Sequence, residues 1–459
     1  MSALAYILAQ RGIPVSGSDV RENRVTQQLE TLGIQIFQSQ VAENLDHFRD
    51  LSPQIICSTA IKATNLEYQA AVARNYSMFH RSDLLAAFIK AASRSIAVAG
   101  THGKTTTSSI IGHLLVKADL DPTVIIGGEV GTWGGNARSG HGPFLVAEAD
   151  ESDGSLVKFQ PWLSVITNIE LDHPDHYQSL EEVIETFQAL VERSHTTLVC
   201  LDCERIRDRL LPQYPHHSFL TYGLNPDFGA DYTVTDVTFN AQGTSAQVWE
   251  QGQPLGYIQV PLLGQHNLAN ALAGVAIARQ CGVNFEKITA GLTSFGGAKR
   301  RFEIRGEAGG IRLVDDYAHH PSEVAATLAS ARLQVTHTDQ WKRVIAVFQP
   351  HRYSRIYTFL EQFSQSFQDA DQVIVTDVYS AGEPNTVGIT PADIHHAISQ
   401  QHPNVIYQAR LEDVTEYLAN HAEPGDLILF LGAGNLNSVI PGLLDVFDNP
   451  SHLSSAVHL

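Results

Sequence analysis

Ser95-Ile-Ala-Val-Ala99, followed at once by Gly100-Thr-His-Gly-Lys104-Thr105, decides how the rest of this chain is read. The first five residues have the apolar, β-branched character of a buried strand. Two glycines then permit close backbone approach to an anion, and the helix expected after Lys104 aims its free amides at the same place. Lys104 adds a positive charge, and Thr105 puts a hydroxyl where a divalent cation needs a neutral oxygen ligand. Gly100, Thr101, His102, Gly103, Lys104, Thr105 and Thr106 are therefore expected to hold the phosphates of a nucleoside triphosphate. Only two residues separate the glycines, against four in the usual phosphate loop. The assignment therefore leans on the strand before and the helix after.

Outward from that loop, strand-like runs recur at Gln54–Cys57, Phe144–Ala147 and Leu163–Thr167, alternating with helical stretches, which predicts parallel sheets covered by helices. The chain opens with a helix over residues 1–10, before a strand and turn at Ile13–Asp19. Between Thr233 and Val260 short alternating strands predict an insertion, and an Ala-rich helix follows over Leu268–Ile277. After Gly296-Gly297 the strands Ile311–Val314, Val344–Phe348, Val373–Thr376 and Leu427–Leu431 predict another α/β domain, with its chemistry at their carboxyl ends. The expected class is α/β in three domains. These are a Rossmann-like N-terminal domain lacking its first strand (1–92), a central ATPase-type parallel sheet (93–296) and a Rossmann-like C-terminal domain (297–459). A loose tail is expected from Asn449 onward.

At 459 residues and 43% hydrophobic content the chain can fill several cores. A formal charge of −19 repels a phosphate backbone, so nucleic acid is excluded as a partner and a nucleotide must be held by local donors. No apolar run approaches the roughly 20 residues of a membrane span, and no secretory start is present, so the expected location is the cytoplasm. Cys200-Leu-Asp-Cys203 has the spacing of a metal or redox pair but lies in an apolar strand with no second pair nearby, and it reads as structural. Gly432-Ala-Gly434-Asn lacks the third glycine of a dinucleotide fingerprint, which argues against NAD.

Two acidic clusters end strands near the phosphate loop. Val146-Ala-Glu148-Ala-Asp150-Glu151-Ser152-Asp153 brings four carboxylates into six residues, and Asn168-Ile-Glu170-Leu-Asp172-His173-Pro-Asp175-His176 adds two histidines. Beside a triphosphate, Mg²⁺ is the expected ion, because phosphoryl transfer moves negative charge that a divalent cation offsets.

These stretches resemble the Mur ligases, the ATP-dependent amide-forming enzymes of bacterial peptidoglycan synthesis. Further segments carrying the resemblance are Gly264-Gln-His-Asn-Leu-Ala-Asn270, Arg300-Arg-Phe302, Asp315-Asp-Tyr-Ala-His-His-Pro321 and Pro350-His-Arg-Tyr-Ser-Arg355, so that it covers nearly the whole chain. The resemblance implies ATP and Mg²⁺, with Thr105, Glu148 and His173 on the metal, Asn267 and Asn270 at adenine, and Asp316 at ribose. Arg301 is implied to reach the phosphates from the third domain beside Lys104. Tyr317, His319, His320, His351, Arg352 and Arg355 are implied to surround the amino acid or acyl phosphate. Ser18, Asp19, Ser58, Thr59, Arg81 and Asn136 are implied to hold the UDP-sugar.

Within that family, ligases of later steps carry a carbamylated lysine in the middle domain, whereas no lysine occurs here between Lys158 and Lys287. With the His351–Arg355 stretch, this points to UDP-N-acetylmuramate and L-alanine as substrates of a monomer or homodimer. A tripeptide-recycling ligase shares the Ala-His-His-Pro motif and is the alternative. Family members begin with a strand and a Gly-rich turn for the UDP pyrophosphate, and this chain starts at the Met-Ser of that turn. Two expectations follow: a start further upstream, or a nucleotide-binding protein impaired in holding its sugar nucleotide.

Overall fold

The computed structural model describes residues 1–240 and 243–448. The expected loose tail, 449–459, lies outside them. Among the described residues there are four sheets: one of ten strands, one of six, and two of two.

The strand Arg94–Ala99 is buried from Ser95 onward and sits inside the ten-stranded sheet, between Leu163–Ile166 and Phe144–Glu148, parallel to both. That neighbourhood positions the site. Parallel strands end at the same edge, so the loops after residues 99, 148 and 166 emerge side by side. Of these, the first is the expected phosphate loop and the other two are the acidic clusters. The helix Lys104–Lys117 packs behind the loop with residues 105–115 buried, against the long helix Gln265–Gln280.

The short alternating strands expected between Thr233 and Val260 are present in the structure. Tyr232–Asn240, Gly243–Glu250 and Gln253–Val260 form an antiparallel meander that continues the central sheet, since Tyr222 pairs with Tyr232 in parallel register. The edge strand Phe219–Tyr222 leaves backbone groups that a further strand satisfies, which joins the insertion to the sheet. The strands Thr123–Val130 and Gly135–Arg138, unforeseen in the sequence, close the opposite edge. Their glycines masked the apolar pattern.

The six-stranded sheet runs Glu303–Ala308, Ile311–Asp316, Asp426–Leu431, Arg343–Phe348, Gln372–Val375, Val405–Tyr407, antiparallel only at its first pair. Its carboxyl ends carry Tyr317, His351 and Gly432. Near the N-terminus, Ser16–Ser18 pairs with Gln35–Phe37, and Ile55–Cys57 pairs with Met78–His80, each as a separate parallel sheet. Among the described residues no helix is long and apolar enough to cross a membrane.

Candidate active site

Gly100 and Gly103 each occupy a place that a side chain cannot. At Gly100 φ is +133°, and a Cβ would stand 2.0 Å from Thr167 Oγ1. At Gly103 φ is +81°, and a Cβ would stand 2.6 Å from Asn270 Oδ1. The neighbouring strand end grips the loop between them. Thr101 donates its amide to the Asn168 carbonyl at 3.1 Å, His102 its amide to Asn168 Oδ1 at 2.8 Å, and Thr167 its hydroxyl to the His102 carbonyl at 2.6 Å. Lys104 Nζ donates to the Gly100 carbonyl at 2.7 Å and to Glu151 Oε2 at 2.8 Å. Burial works against its charge, but Glu151 and Asp150 outweigh burial and raise the Lys104 pKa, so the ammonium is permanent.

Thr105 donates its hydroxyl to Glu148 at 2.9 Å, and the Gly127 amide donates to the same carboxylate at 2.7 Å. Ligand atoms of Asp150, Glu151 and His173 lie within 4.8 Å of one another. Of the three expected metal ligands, Thr105 and Glu148 are thus in contact. His173, held at φ +54°, faces Glu151 at 3.6 Å. Left-handed backbone at a residue other than glycine is strain that local contacts must sustain, and such strain concentrates at functional sites.

The third domain closes over this edge. Asp172 and Arg355 form a buried ion pair at 2.9 Å, Arg352 pairs with Asp175, and Arg355 Nη1 donates to His351 Nδ1 at 3.1 Å. Burial favours the neutral acid at Asp172, yet Arg355 together with His173, His319 and His320 outweighs it and holds the carboxyl well below the usual range. His351 stacks on Tyr379, and burial together with the neighbouring His319 and Arg355 lowers its pKa to about 3. Arg300 and Arg301 both lie over the Tyr317 ring. One cavity of about 880 Å³ is lined by Lys104, Thr105, Glu148 and His173 from the central sheet and by Arg301, Tyr317, His319, His351, Arg352 and Arg355 from the third domain, with Thr59 at its rim.

Other expected residues stand apart from that cavity. Asp316 is buried and accepts the amides of Phe302 and Ala318 at 2.7 and 2.8 Å, so it shapes the loop after the linker. Burial raises its pKa to about 6. Asn267 donates to the Leu263 carbonyl, and Asn270 accepts from Thr107 behind Gly103. His320 caps the helix Pro321–His337, and its Nε2 meets the Leu171 carbonyl. In the N-terminal domain Ser18 donates to Glu67, Asp19 accepts the Arg21 amide, and Asn136 donates to Ser2. Ser58 offers its carbonyl to Ile61. Arg81 lies 4.0 Å from Asp153 of the central domain.

Glu151 and Asp172 stood within the two acidic clusters but without a role of their own, and the residues that the sequence did not single out are Glu323 and the linker pair Lys299–Glu129, 2.5 Å apart. Glu323 had a legible signal. His320-Pro-Ser-Glu323 has the N-cap to N3 spacing of a capping box, and the box is formed. The others were hidden because their partners are distant in sequence.

Three domain families match the chain: "Mur ligase family, catalytic domain" over residues 1–93, "Mur ligase middle domain" over 98–278, and "Mur ligase, glutamate ligase domain" over 300–434. Among curated relatives, the UDP-N-acetylmuramate–L-alanine ligase of Acaryochloris marina is 56% identical, across all of this chain and 96% of its own length. That of Nostoc punctiforme is 54% identical, across 99% of this chain and 96% of its own length. The crystal structure of the UDP-N-acetylmuramate-alanine ligase of Thermotoga maritima superposes with a TM-score of 0.81 at 26% identity, covering 98% of this chain and 97% of that one. A murein peptide ligase from Psychrobacter arcticus, at 21% identity and TM-score 0.70 over 98% of this chain and 96% of its own, shares the fold.

Proposed function

The chain belongs to the Mur ligase family, and from that membership and its cavity we infer an ATP-dependent ligase of peptidoglycan precursor synthesis, joining L-alanine to the carboxylate of UDP-N-acetylmuramate. The observation that carries the chemistry is the single cavity in which Lys104 and Glu148 of the central sheet face Arg301, His351 and Arg355 of the third domain. Cations from two domains around one space suit a reaction in which charge spreads from a nucleotide onto a second substrate.

In this reading the sugar's carboxylate attacks the γ-phosphorus of ATP. The resulting acyl phosphate is a good electrophile, and the amine of alanine displaces phosphate from it. Lys104 and the loop amides hold the β and γ phosphates, and Arg301 reaches them from the third domain. His351, neutral through burial, and Arg355 orient the amino acid or acyl phosphate, with Arg352, Tyr317 and His319 around them. Closure of the third domain excludes water from the acyl phosphate. The hydroxyl of Thr105 against two carboxylate oxygens of Glu148 is an oxygen donor set that fits Mg²⁺. The ion would supply neutralisation of phosphate charge, with His173, 3.6 Å from Glu151, as its third protein partner. Asn267, Asn270 and Asp316 shape the adenosine end, and Ser18, Asp19, Ser58, Thr59, Arg81 and Asn136 the sugar-nucleotide end. The domain boundaries proposed are 92/93 and 296/297, and the reaction belongs to the cytoplasm, in a monomer or homodimer.

Phosphate release by the purified chain is the test. It is expected to require UDP-N-acetylmuramate and L-alanine together, and to disappear in Lys104→Ala. Release with ATP and either substrate alone, or an active Lys104→Ala variant, contradicts this reading.

A further inference from the structure

His102, Glu170 and His320 form a second cluster, in which the ligand atoms of the three residues lie within 4.8 Å of one another. It joins two domains, since His102 belongs to the phosphate loop, Glu170 to the next loop of the central sheet, and His320 to the start of a helix in the third domain. The arrangement of each ring is notable for what its outer nitrogen does. His102 Nδ1 meets Glu323 Oε1 at 3.2 Å, and His320 Nε2 meets the Leu171 carbonyl at 3.2 Å. A histidine that ligates a metal is normally fixed in this way, by a carboxylate or backbone carbonyl on the nitrogen away from the ion.

The inner nitrogens converge on one oxygen. His102 Nε2 is buried without a hydrogen-bond partner and stands 3.4 Å from Glu170 Oε2. His320 Nδ1 stands 3.9 Å from the same atom and accepts a long 3.4 Å bond from the Ser322 amide. Ser322 donates its hydroxyl to Glu170 Oε2 at 2.7 Å, which orients the carboxylate. Ligands about 2.0–2.1 Å from a tetrahedral ion are roughly 3.3 Å from each other; His102 and Glu170 already stand near that spacing at 3.4 Å, and His320 Nδ1, 3.9 Å from Glu170, moves inward to complete the set.

We propose that His102, Glu170 and His320 bind a divalent cation of the zinc type, apart from the nucleotide's Mg²⁺, and that this ion ties the third domain to the phosphate loop. Two imidazoles and one carboxylate suit zinc over magnesium, which prefers oxygen ligands in an octahedron. Three protein ligands leave a fourth position open to water.

The test is equilibrium dialysis of the metal-free full-length chain against Zn²⁺ with Mg²⁺ in large excess. One zinc retained per chain is expected. Glu170→Gln and His320→Ala are expected to abolish that retention, and Glu323→Gln, which removes only an outer partner, to weaken it about 10- to 100-fold. His173→Ala is expected to retain the ion. X-ray absorption of the zinc-loaded native chain is expected to report two imidazoles and one carboxylate, a readout that does not depend on any variant folding. The proposal is overturned by a chain that retains no zinc, in which a doubly protonated His102 satisfies Glu170 and Glu323 without an ion. It is equally overturned if retention survives Glu170→Gln or is lost in a folded His173→Ala. None of these outcomes bears on the ligase reading, which phosphate release tests separately.

Discussion

Arg355 Nε lies 2.9 Å from Asp172 Oδ1 across the boundary between two domains, with both side chains about 95% withdrawn from water. Because Arg355 also donates to His351, the carboxylate fixes two cavity residues at once. Removing one member of such a pair strands the other, at a cost of about 3–5 kcal/mol. Here opening of the third domain rehydrates the stranded group, so the loss falls on the closed form. Asp172→Asn is expected to lower turnover about 100-fold, and to shift small-angle scattering towards a more open particle. Unchanged turnover in a folded variant would show that the pair does not hold the closed form. The carboxyl is held below its ordinary value, so its contribution is present above about pH 4 and fades as pH falls further.

Glu148 accepts from Thr105 and from the Gly127 amide, and a carboxamide keeps the shape while removing the charge. Glu148→Gln is expected to leave the melting temperature within about 1 °C of native, since the group is not wholly buried. It is expected to weaken Mn²⁺ binding in the presence of nucleotide, read by electron paramagnetic resonance. Native Mn²⁺ affinity in that variant would remove Glu148 from the metal set.

Gly100→Ala tests the loop. A methyl group there meets Thr167 Oγ1 at 2.0 Å and the Thr167 amide nitrogen at 3.0 Å, in a backbone conformation that L residues rarely adopt. Strain of this kind costs about 1–3 kcal/mol, and relief requires the loop to leave Thr167 and Asn168. Nucleotide binding by calorimetry is expected to be lost. Binding at native strength would mean that the loop's shape is not set by this contact.

His113 lies in the helix behind the loop, 1% exposed, with Nε2 3.0 Å from the Gly291 carbonyl and Nδ1 2.8 Å from Thr132 Oγ1. Burial, opposed by the Gly291 hydrogen bond, lowers its pKa. The unfolded chain therefore binds a proton that the native one refuses, and stability falls as pH drops below about 6.5. Between about pH 7 and pH 5 the native melting temperature is expected to decline more than that of His113→Gln. Parallel declines would show that His113 is not the group responsible.

The strand, glycine loop and helix of the candidate phosphate site were legible because their requirements are local: a strand, two glycines, a lysine and a helix start adjoin in sequence. The same holds for Glu148 at its strand end and for the order of α/β units. Asp316 and Asn270 were legible as functional candidates, but their hydrogen bonds to Phe302, Ala318 and Thr107 were not.

The sequence by itself determined the class of fold and the family and singled out the candidate nucleotide loop, since each rests on residue types at short, fixed spacing. Tertiary structure alone decided that Arg94–Ala99 lies between the two acid-ended strands, that the meander extends the central sheet, and that Asp172 meets Arg355. The physical reason is range. Glycine conformation and strand periodicity are properties of neighbouring residues, whereas an ion pair across 183 positions exists only once two domains have closed over a shared cavity.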